Sequence, residues 1–158
     1  MSQKRIQELV ETLNLQAHPE GGFYAETYRS SEEIPGKDRQ LMTSIYFLLT
    51  GTNCSRFHRI QSDEAWYFHE GSGLTVHELI EGTYKSTQLG QIGHGDRIPF
   101  YVVPAGSIFG STVDDETGYA LVSCAVAPGF DFRDFELFSF DQLITSFPEH
   151  EEIIRRLT

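Results

Sequence analysis

The chain has 158 residues, the length of one domain, and is long enough to bury roughly 70% of the surface that its unfolded form would expose. Its net charge of −11, from 12 basic and 23 acidic residues, argues against nucleic acid and anionic membrane surfaces as partners. The two cysteines, Cys54 and Cys124, and the absence of any apolar run of signal-peptide or membrane-spanning length predict a cytoplasmic protein with reduced thiols.

The first segment has the spacing of an amphipathic helix, i, i+3, i+4, i+7. Its apolar positions are Ile6, Leu9, Val10 and Leu13. Pro19, Gly21 and Gly22 end this pattern, and "FYAETYRS" then alternates as a strand does.

From Leu41 onward the sequence consists of short apolar or alternating runs separated by glycine-rich turns. These runs are "LMTSIYFLL", "SRFHRI", "EAWYFHEG", "LTVHELIEG", "TYKSTQLG", "IPFYVVPAG", "SIFGSTV" and "YALVSCAVAPG". Many short strands at regular spacing are typical of a sandwich or barrel. The tail "FDQLITSFPEHEEIIRRLT" predicts two short helices, with Pro148 in the first turn of the second. We therefore expect a single, mainly β domain over residues 1–158.

Two motifs resemble the signatures of the cupin superfamily. "HRIQSDEAWYFHEG" resembles the first, His-x-His followed by three or four residues, Glu, six residues and Gly, and "PAGSIF" resembles the second, Pro-x-Gly-x-x-His. In this chain Ile60 and Phe109 stand at two of the histidine positions, while His58 and Glu64 match the motif. Those four positions hold one divalent ion in metal-bearing cupins.

A longer resemblance runs from His18 to Leu137. The segments "HPEGGFYAETYRS", "SIYFLL", "FHRIQSDEAWYFHEG", "VPAGSIFG" and "APGFDFRDFEL" are together similar to one uncharacterised family of bacteria and fungi, the cupin-five family. The resemblance implies a cupin-type jelly-roll barrel, or double-stranded β-helix, with short N-terminal and C-terminal helices. It also implies a homodimer, and it implies no particular activity.

The changed motif positions bear on the cofactor. A catalytic transition-metal site usually has three protein ligands, and His58 with Glu64 supplies two. On an unbroken strand His69 faces away from Glu64, whereas His77 could contribute if its strand crosses the barrel suitably. The sequence therefore predicts no metal cofactor, and a divalent ion remains a second possibility.

The residues that remain in the motif suit proton transfer. We expect His58 to remove a proton next to a carbonyl group, because an ordinary imidazole titrates near neutrality. Glu64 would orient or protonate the substrate, and Tyr46 would return a proton on the far side. These three are the predicted catalytic residues.

Five further residues are predicted to bind the substrate: Glu20, Arg29, Trp66, His77 and Phe109. Arg29 could clamp an anionic group bidentately, although a surface or dimer-interface ion pair explains it equally well. Trp66 and Phe109 could form apolar pocket walls or ordinary core. His18 lies in turn-like sequence and is predicted to be at the surface, and Asp131 is predicted to be a loop charge.

The favoured function is metal-independent acid/base isomerisation or epimerisation of a small sugar or sugar phosphate. Sugar-nucleotide epimerases of the cupin superfamily use similar proton transfers, which supports this hypothesis by analogy of fold alone. A metal-dependent oxygenase or isomerase that uses His58 and Glu64 is one alternative. A small-ligand-binding protein without catalytic activity is the other.

Overall fold

The computed structural model describes residues 2–158. Three α-helices and eleven strands follow one another along the chain. The helices are α1 (Ser2–Thr12), α2 (Phe140–Ser146) and α3 (Glu151–Arg156). The strands are β1 (Gln16–Ala17), β2 (Phe23–Arg29), β3 (Thr43–Thr50), β4 (Cys54–Arg59), β5 (Asp63–Gly71), β6 (Leu74–Ile80), β7 (Thr83–Leu89), β8 (Phe100–Val103), β9 (Ile108–Val113), β10 (Tyr119–Ala127) and β11 (Glu136–Leu137). Two short 3₁₀ turns cover Phe132–Asp134 and Pro148–His150.

The strands form two antiparallel sheets. The first has the order β1-β2-β3-β10-β5-β8 and the second has the order β11-β4-β9-β6-β7. Side chains of both sheets meet in one core, in which Phe47 and Trp66 of the first sheet pack with Val76 and Phe109 of the second. The two facing sheets with interleaved strands confirm the predicted jelly-roll barrel.

Helix α1 covers part of the outer face of the first sheet. Leu9 is buried there against Leu48 of β3 and Leu121 of β10. The predicted apolar face is therefore confirmed. Strand β3 is covered on both faces as a result, because Phe47 points into the barrel and Leu48 points under α1.

The C-terminal helices cover the outer face of the second sheet, where Leu143, Ile154 and Leu157 pack on Phe57 and Leu79. Helix α2 begins with a capping box, in which Ser139 Oγ accepts a hydrogen bond from the Gln142 amide and the Gln142 side chain accepts one from the Ser139 amide. Pro148 opens the 3₁₀ turn that leads into α3, where its missing N–H costs nothing. None of the helices within residues 2–158 is long and apolar enough to cross a membrane.

One end of the barrel is open to solvent. The start of β5 and the end of β10 meet there, where Glu64 pairs with Val126, and the end of β4 brings His58 to the same end. Two loops close the sides of this end: residues 18–22, and residues 129–135 after β10. The candidate functional site lies between them.

Candidate functional site

The open end of the barrel contains a cavity of about 330 Å³. It is lined by four carboxylates, one arginine and two histidines, together with aromatic and aliphatic side chains. The lining residues are His18, Glu20, Tyr24, Glu26, Arg29, Thr43, Ile45, His58, Ile60, Glu64, Cys124, Val126, Phe130, Asp131, Phe132 and Phe135. A concave, partly apolar site with a few convergent ionisable groups is the usual form of a small-molecule site.

A buried ion pair lies at the centre of this cavity. His58 Nε2 is 2.7 Å from Glu20 Oε2, and both side chains are almost fully buried. The other ring nitrogen, Nδ1, lies 2.7 Å from the carbonyl oxygen of Arg56. Because a carbonyl oxygen can only accept, Nδ1 carries a proton, and the tautomer and orientation of the ring are fixed.

The backbone of Arg56 also positions Glu20. The Arg56 amide donates to the Glu20 carbonyl oxygen over 2.8 Å. Gly21, which follows, has φ +112°, and a Cβ there would overlap the Cys54 carbonyl oxygen. The chain can therefore approach β4 this closely only because position 21 has no side chain. The glycine pair that the sequence singled out brings Glu20 to His58.

Each member of the His58–Glu20 pair shifts the pKa of the other so that its charged form is favoured. Burial alone would lower the pKa of His58, but the charge and hydrogen bond of Glu20 outweigh it, and the pKa lies above the ordinary value. Burial alone would raise the pKa of Glu20, but His58 reverses that effect, and the pKa lies below the ordinary value. Each partner therefore stabilises the charged form of the other, a carboxylate bonded to an imidazolium.

Glu64 lies in the same cavity and behaves in the opposite way. Burial, assisted by the negative charge of Glu20, raises the pKa of Glu64 to about 7. Its Oε2 accepts a 3.1 Å hydrogen bond from Trp66 Nε1, which lowers the pKa in part. The two buried carboxyl groups of the cavity thus differ at neutral pH, where Glu20 is ionised and Glu64 is half-protonated.

Four of the predicted site residues, His58, Glu64, Glu20 and Arg29, line this cavity. Glu20, rather than Glu64, makes the direct contact with His58.

Two predicted positions are corrected by the structure. Tyr46 lies on the outer face of the first sheet, packed beside α1, because the inward residues of β3 are Ile45 and Phe47. His77 lies on the outer face of the second sheet, where Nδ1 contacts Tyr84 Oη at 2.6 Å and Nε2 contacts Thr112 Oγ1 at 2.9 Å. Neither side chain lines the cavity.

Trp66 and Phe109 stand behind the cavity wall, not in it. Both are buried in the barrel core. Trp66 reaches the site through its hydrogen bond to Glu64, and the ring of Phe109 lies 4.2 Å from that of His58, centroid to centroid. They contact Glu64 and His58 from the core side and do not line the cavity.

Arg29 lies at the mouth of the cavity but is already paired. Its Nε and Nη2 donate to the two oxygens of Glu26 over 2.8 and 2.9 Å, and its Nη1 donates to Gln40 Oε1 over 3.0 Å. The ion-pair interpretation of Arg29 therefore describes the structure better than an open anion clamp.

Several cavity residues were not predicted. His18 is mostly buried, and its Nδ1 accepts a hydrogen bond from the Glu20 amide over 3.2 Å. Burial lowers the pKa of His18, so this imidazole is neutral at pH 7. The segment "GFDFRDFEL", in which Asp131 is a loop charge as predicted, turns over the cavity mouth and presents Phe130, Phe132 and Phe135.

The cavity does not fit a metal ion. Ile60 and Phe109, which replace histidines of the motif, are buried hydrocarbon, and both ring nitrogens of His58 are engaged by Arg56 and Glu20. Across residues 2–158, no group of three or more His, Cys, Asp or Glu side chains has the arrangement of a metal site. A stable catalytic site would need at least three such ligands around one point.

The two-sheet barrel with a polar cavity at its open end defines this protein as a cupin-fold protein. Residues 7–138 match the family described as Cupin superfamily (DUF985). The chain belongs to this family, as the sequence motifs indicated.

Two similar proteins of known structure have the same fold. Protein SO0799 from Shewanella oneidensis is 42% identical, with a TM-score of 0.91 over 96% of both chains. A hypothetical protein from Leishmania major is 37% identical, with a TM-score of 0.90 over 96% of this chain and 97% of that one. The uncharacterized protein YML079W from Saccharomyces cerevisiae is 29% identical in an alignment of 147 residues that covers 82% of this chain and 73% of the yeast protein.

Proposed function

We propose that this protein is an isomerase or epimerase that transfers protons on a small, sugar-like carbonyl substrate without a metal ion. One observation carries the proposal: two buried carboxyl groups share a cavity, and their pKa values are shifted in opposite directions. Such a separation is how enzymes obtain an acid and a base from similar side chains at neutral pH.

Glu64 is the better candidate for the base. Its pKa of about 7 means that a useful fraction is ionised, yet the conjugate acid is strong enough to return the proton. In the proposed step Glu64 takes the proton from the carbon next to the carbonyl group. The electrons of that C–H bond form a C=C bond, and the carbonyl oxygen takes up a proton, which gives an enediol.

The His58–Glu20 pair is the candidate acid. Its imidazolium is held in one orientation by the Arg56 carbonyl group, so a proton is available at a fixed place. The pair would protonate the carbonyl oxygen as the C–H bond breaks. When Glu64 returns its proton to the neighbouring carbon and His58 takes back a hydroxyl proton of the enediol, a carbonyl group re-forms and an isomerisation is complete. An epimerisation instead takes a proton from solvent on the opposite face of the original carbon, while His58 takes back the hydroxyl proton and Glu64 releases its proton to solvent. This scheme replaces His58 as the base and omits Tyr46.

Small-molecule binding without catalysis is the second candidate. It is favoured by the fact that both ring nitrogens of His58 already have protein partners, which is also what a purely structural pair requires. The two functions differ in whether protons of a bound molecule exchange with solvent.

The experiment is solvent deuterium exchange. Aldoses, ketoses and keto acids are incubated in D₂O with chelator-treated protein, and loss of the C–H signal next to the carbonyl group is followed by proton NMR. We expect exchange into at least one compound, a fall of at least about a hundredfold in Glu64→Gln, and a similar fall in Glu20→Gln. Glu136→Gln, a change at an exposed glutamate that pairs with Arg59, is the matched control.

Two results would count against the proposal. A compound that binds but shows no exchange above the rate without protein would favour binding without catalysis. Exchange that disappears on chelation and returns with a divalent ion would favour the metal-dependent alternative.

A further inference from the structure

The mouth of the cavity is formed by four aromatic rings, Tyr24, Phe130, Phe132 and Phe135, which we call the aromatic clasp. Phe130 and Phe132 meet edge to face with centroids 4.9 Å apart, and Phe132 and Phe135 meet in the same way at 6.0 Å. The clasp continues inward to the site, because the ring of Phe135 lies 5.4 Å from that of His58.

Phe132 is the most exposed member of the clasp, with half of its surface open to solvent. A large apolar side chain at the rim of a polar cavity loses that exposure when a ligand covers it, and the gain scales with the apolar area removed from water. A flat or ring-shaped molecule can offer such a face while its polar edge reaches Glu64 and His58.

The charges around the clasp are already balanced in pairs. Arg29 is held bidentately by Glu26, and Asp131 is held by Arg133, whose Nη2 donates to Asp131 Oδ2 over 2.8 Å. Glu20 is bonded to His58 deeper in the cavity. These pairs leave the cavity without a strong positive field for an incoming anion.

Glu64 also disfavours the binding of an anion in the cavity. No lysine or arginine within the described part of the chain forms an ion pair with it, and its charge grows as the pH rises through about 7. A phosphate group in the cavity would lie among Glu26, Glu64 and Asp131, at a cost that increases where water is excluded. The net charge of −11 repels anions over a longer range as well.

We infer that the substrate binds as an uncharged, ring-shaped polyhydroxylated compound without a phosphate group, and that Phe132 is a specificity-determining residue that stacks on its less polar face. A cyclic sugar would open to its carbonyl form before the proton transfer, whereas a lactone already contains a carbonyl group. The inference rests on the proposed assignment of this cavity as the substrate site. It narrows the substrate class from sugars and sugar phosphates to unphosphorylated sugars and their lactones.

The test is a binding measurement that does not depend on turnover. Glucose, ribose, fructose and gluconolactone are each compared with the corresponding phosphate ester, by calorimetry or by shift of the unfolding temperature. Sorbitol, which is acyclic, is the control for ring stacking. We expect neutral rings to bind, sorbitol to bind more weakly, and each ester to bind more weakly than its parent. Phe132→Ala should weaken binding of the neutral rings by about three- to tenfold, and Phe132→Leu by less.

A second variant should change the preference of the protein for neutral rings over phosphate esters. Glu26→Gln removes the carboxylate that holds Arg29, so we expect the phosphate esters to gain about tenfold in affinity while the neutral compounds change little. Glu151→Gln, which changes an exposed pair with Arg155 on α3, controls for the loss of one negative charge.

Three outcomes would overturn the inference: esters that bind wild-type protein at least as tightly as their parents, an unchanged affinity in Phe132→Ala, or no binding by any neutral ring. Neutral rings that bind as expected but never exchange deuterium would contradict the proposed reaction instead and leave the substrate class standing.

Discussion

The fold raises the pKa of Glu64, and the raised pKa makes the stability of the protein depend on pH. The unfolded chain releases the proton of Glu64 near pH 4.5, whereas the folded chain retains it until about pH 7. A group whose folded pKa is raised stabilises the protein at low pH, and this contribution is lost as the pH rises through the folded pKa. Wild-type protein should therefore lose stability between pH 4.5 and pH 7 on account of this group.

The substitution Glu64→Gln tests this effect. We expect the variant to gain stability relative to wild type between pH 5 and pH 8, by up to roughly 3 kcal/mol, because an amide has no proton to lose. Urea unfolding at the two pH values measures the difference. Glu136→Gln, at an exposed position, should show almost no pH-dependent difference. A Glu64→Gln difference that stays constant with pH would contradict the raised pKa.

The His58–Glu20 pair makes a second residue-scale prediction. Removal of one partner leaves the other as a buried charge without compensation, so we expect His58→Asn to destabilise the protein by about 3–5 kcal/mol at pH 7. Glu20→Gln should cost a similar amount. In the double variant the cost should be clearly smaller than the sum of the two, and a denaturant series on all four proteins completes the cycle. Additive costs would mean that the two side chains do not interact.

At the scale of elements, the loop before β2 determines where Glu20 lies. Gly21 and Gly36 both have positive φ, +112° and +77°, but they differ in their surroundings. A Cβ at Gly21 would overlap backbone atoms of Cys54, whereas a Cβ at Gly36 has no atom within 4 Å. Alanine variants at the two positions therefore distinguish the cost of backbone strain, which both share, from the cost of steric overlap, which arises only at Gly21.

We expect Gly36→Ala to cost about 1 kcal/mol, from strain alone, and Gly21→Ala to cost at least about 2 kcal/mol more. Gly21→Ala should also move Glu20 away from His58 and lower any exchange activity, which Gly36→Ala should leave intact. Thermal unfolding and the deuterium assay measure both effects. Equal costs at the two positions would show that the close approach to β4 is unimportant.

The elements themselves were largely predictable from local pattern. The spacing of Leu9 and its neighbours predicted α1, and the short runs after Leu41 predicted β3 to β10. The cavity could be predicted in part, since the motif identified His58 and Glu64. The contact between Glu20 and His58 joins residues that are 38 positions apart in the sequence. The spacing of residues within a helix or strand cannot predict a contact over that separation.

The incorrect predictions for Tyr46, His77 and His18 have a physical cause. The alternation of side chains along a strand shows which residues share a face. It does not show which face points into the barrel when both faces are covered by other parts of the protein. Strand β3 lies between the barrel core and α1, and β6 lies between the core and the C-terminal helices, so Tyr46 and His77 are each in a sheltered setting outside the cavity. His18 was assigned to the surface because its loop sequence looks exposed.

At the scale of the whole molecule, the homodimer that the family resemblance implied stays a prediction, and the structure offers a surface for it. Tyr67 of β5 and Phe100 of β8 pair across neighbouring strands with centroids 5.0 Å apart, and each is 45% exposed. Val102 of β8 adds to this uncharged patch on a chain that carries a charge of −11. Two copies could join there without bringing like charges together.

We expect the protein to sediment as a dimer and Phe100→Glu to sediment as a monomer, because the change would place two like charges in the patch. Ile92→Glu, at an exposed apolar side chain in the turn region before β8, is the control and should remain dimeric. Analytical ultracentrifugation distinguishes the two states. A wild-type monomer at micromolar concentration, or a Phe100→Glu dimer, would contradict this interface.

The proposed reaction depends on a cavity in which the buried carboxyl group of Glu20 is ionised and that of Glu64 is half-protonated at neutral pH. Carbon-13 NMR of protein labelled at the glutamate side-chain carboxyl groups measures this directly, with Glu64→Gln and Glu20→Gln used to assign the two signals. We predict that the Glu64 signal titrates with a midpoint near pH 7 and that the Glu20 signal titrates below pH 4.5. A Glu64 midpoint near 4.5, or one shared by both groups, would contradict the acid and base assignments.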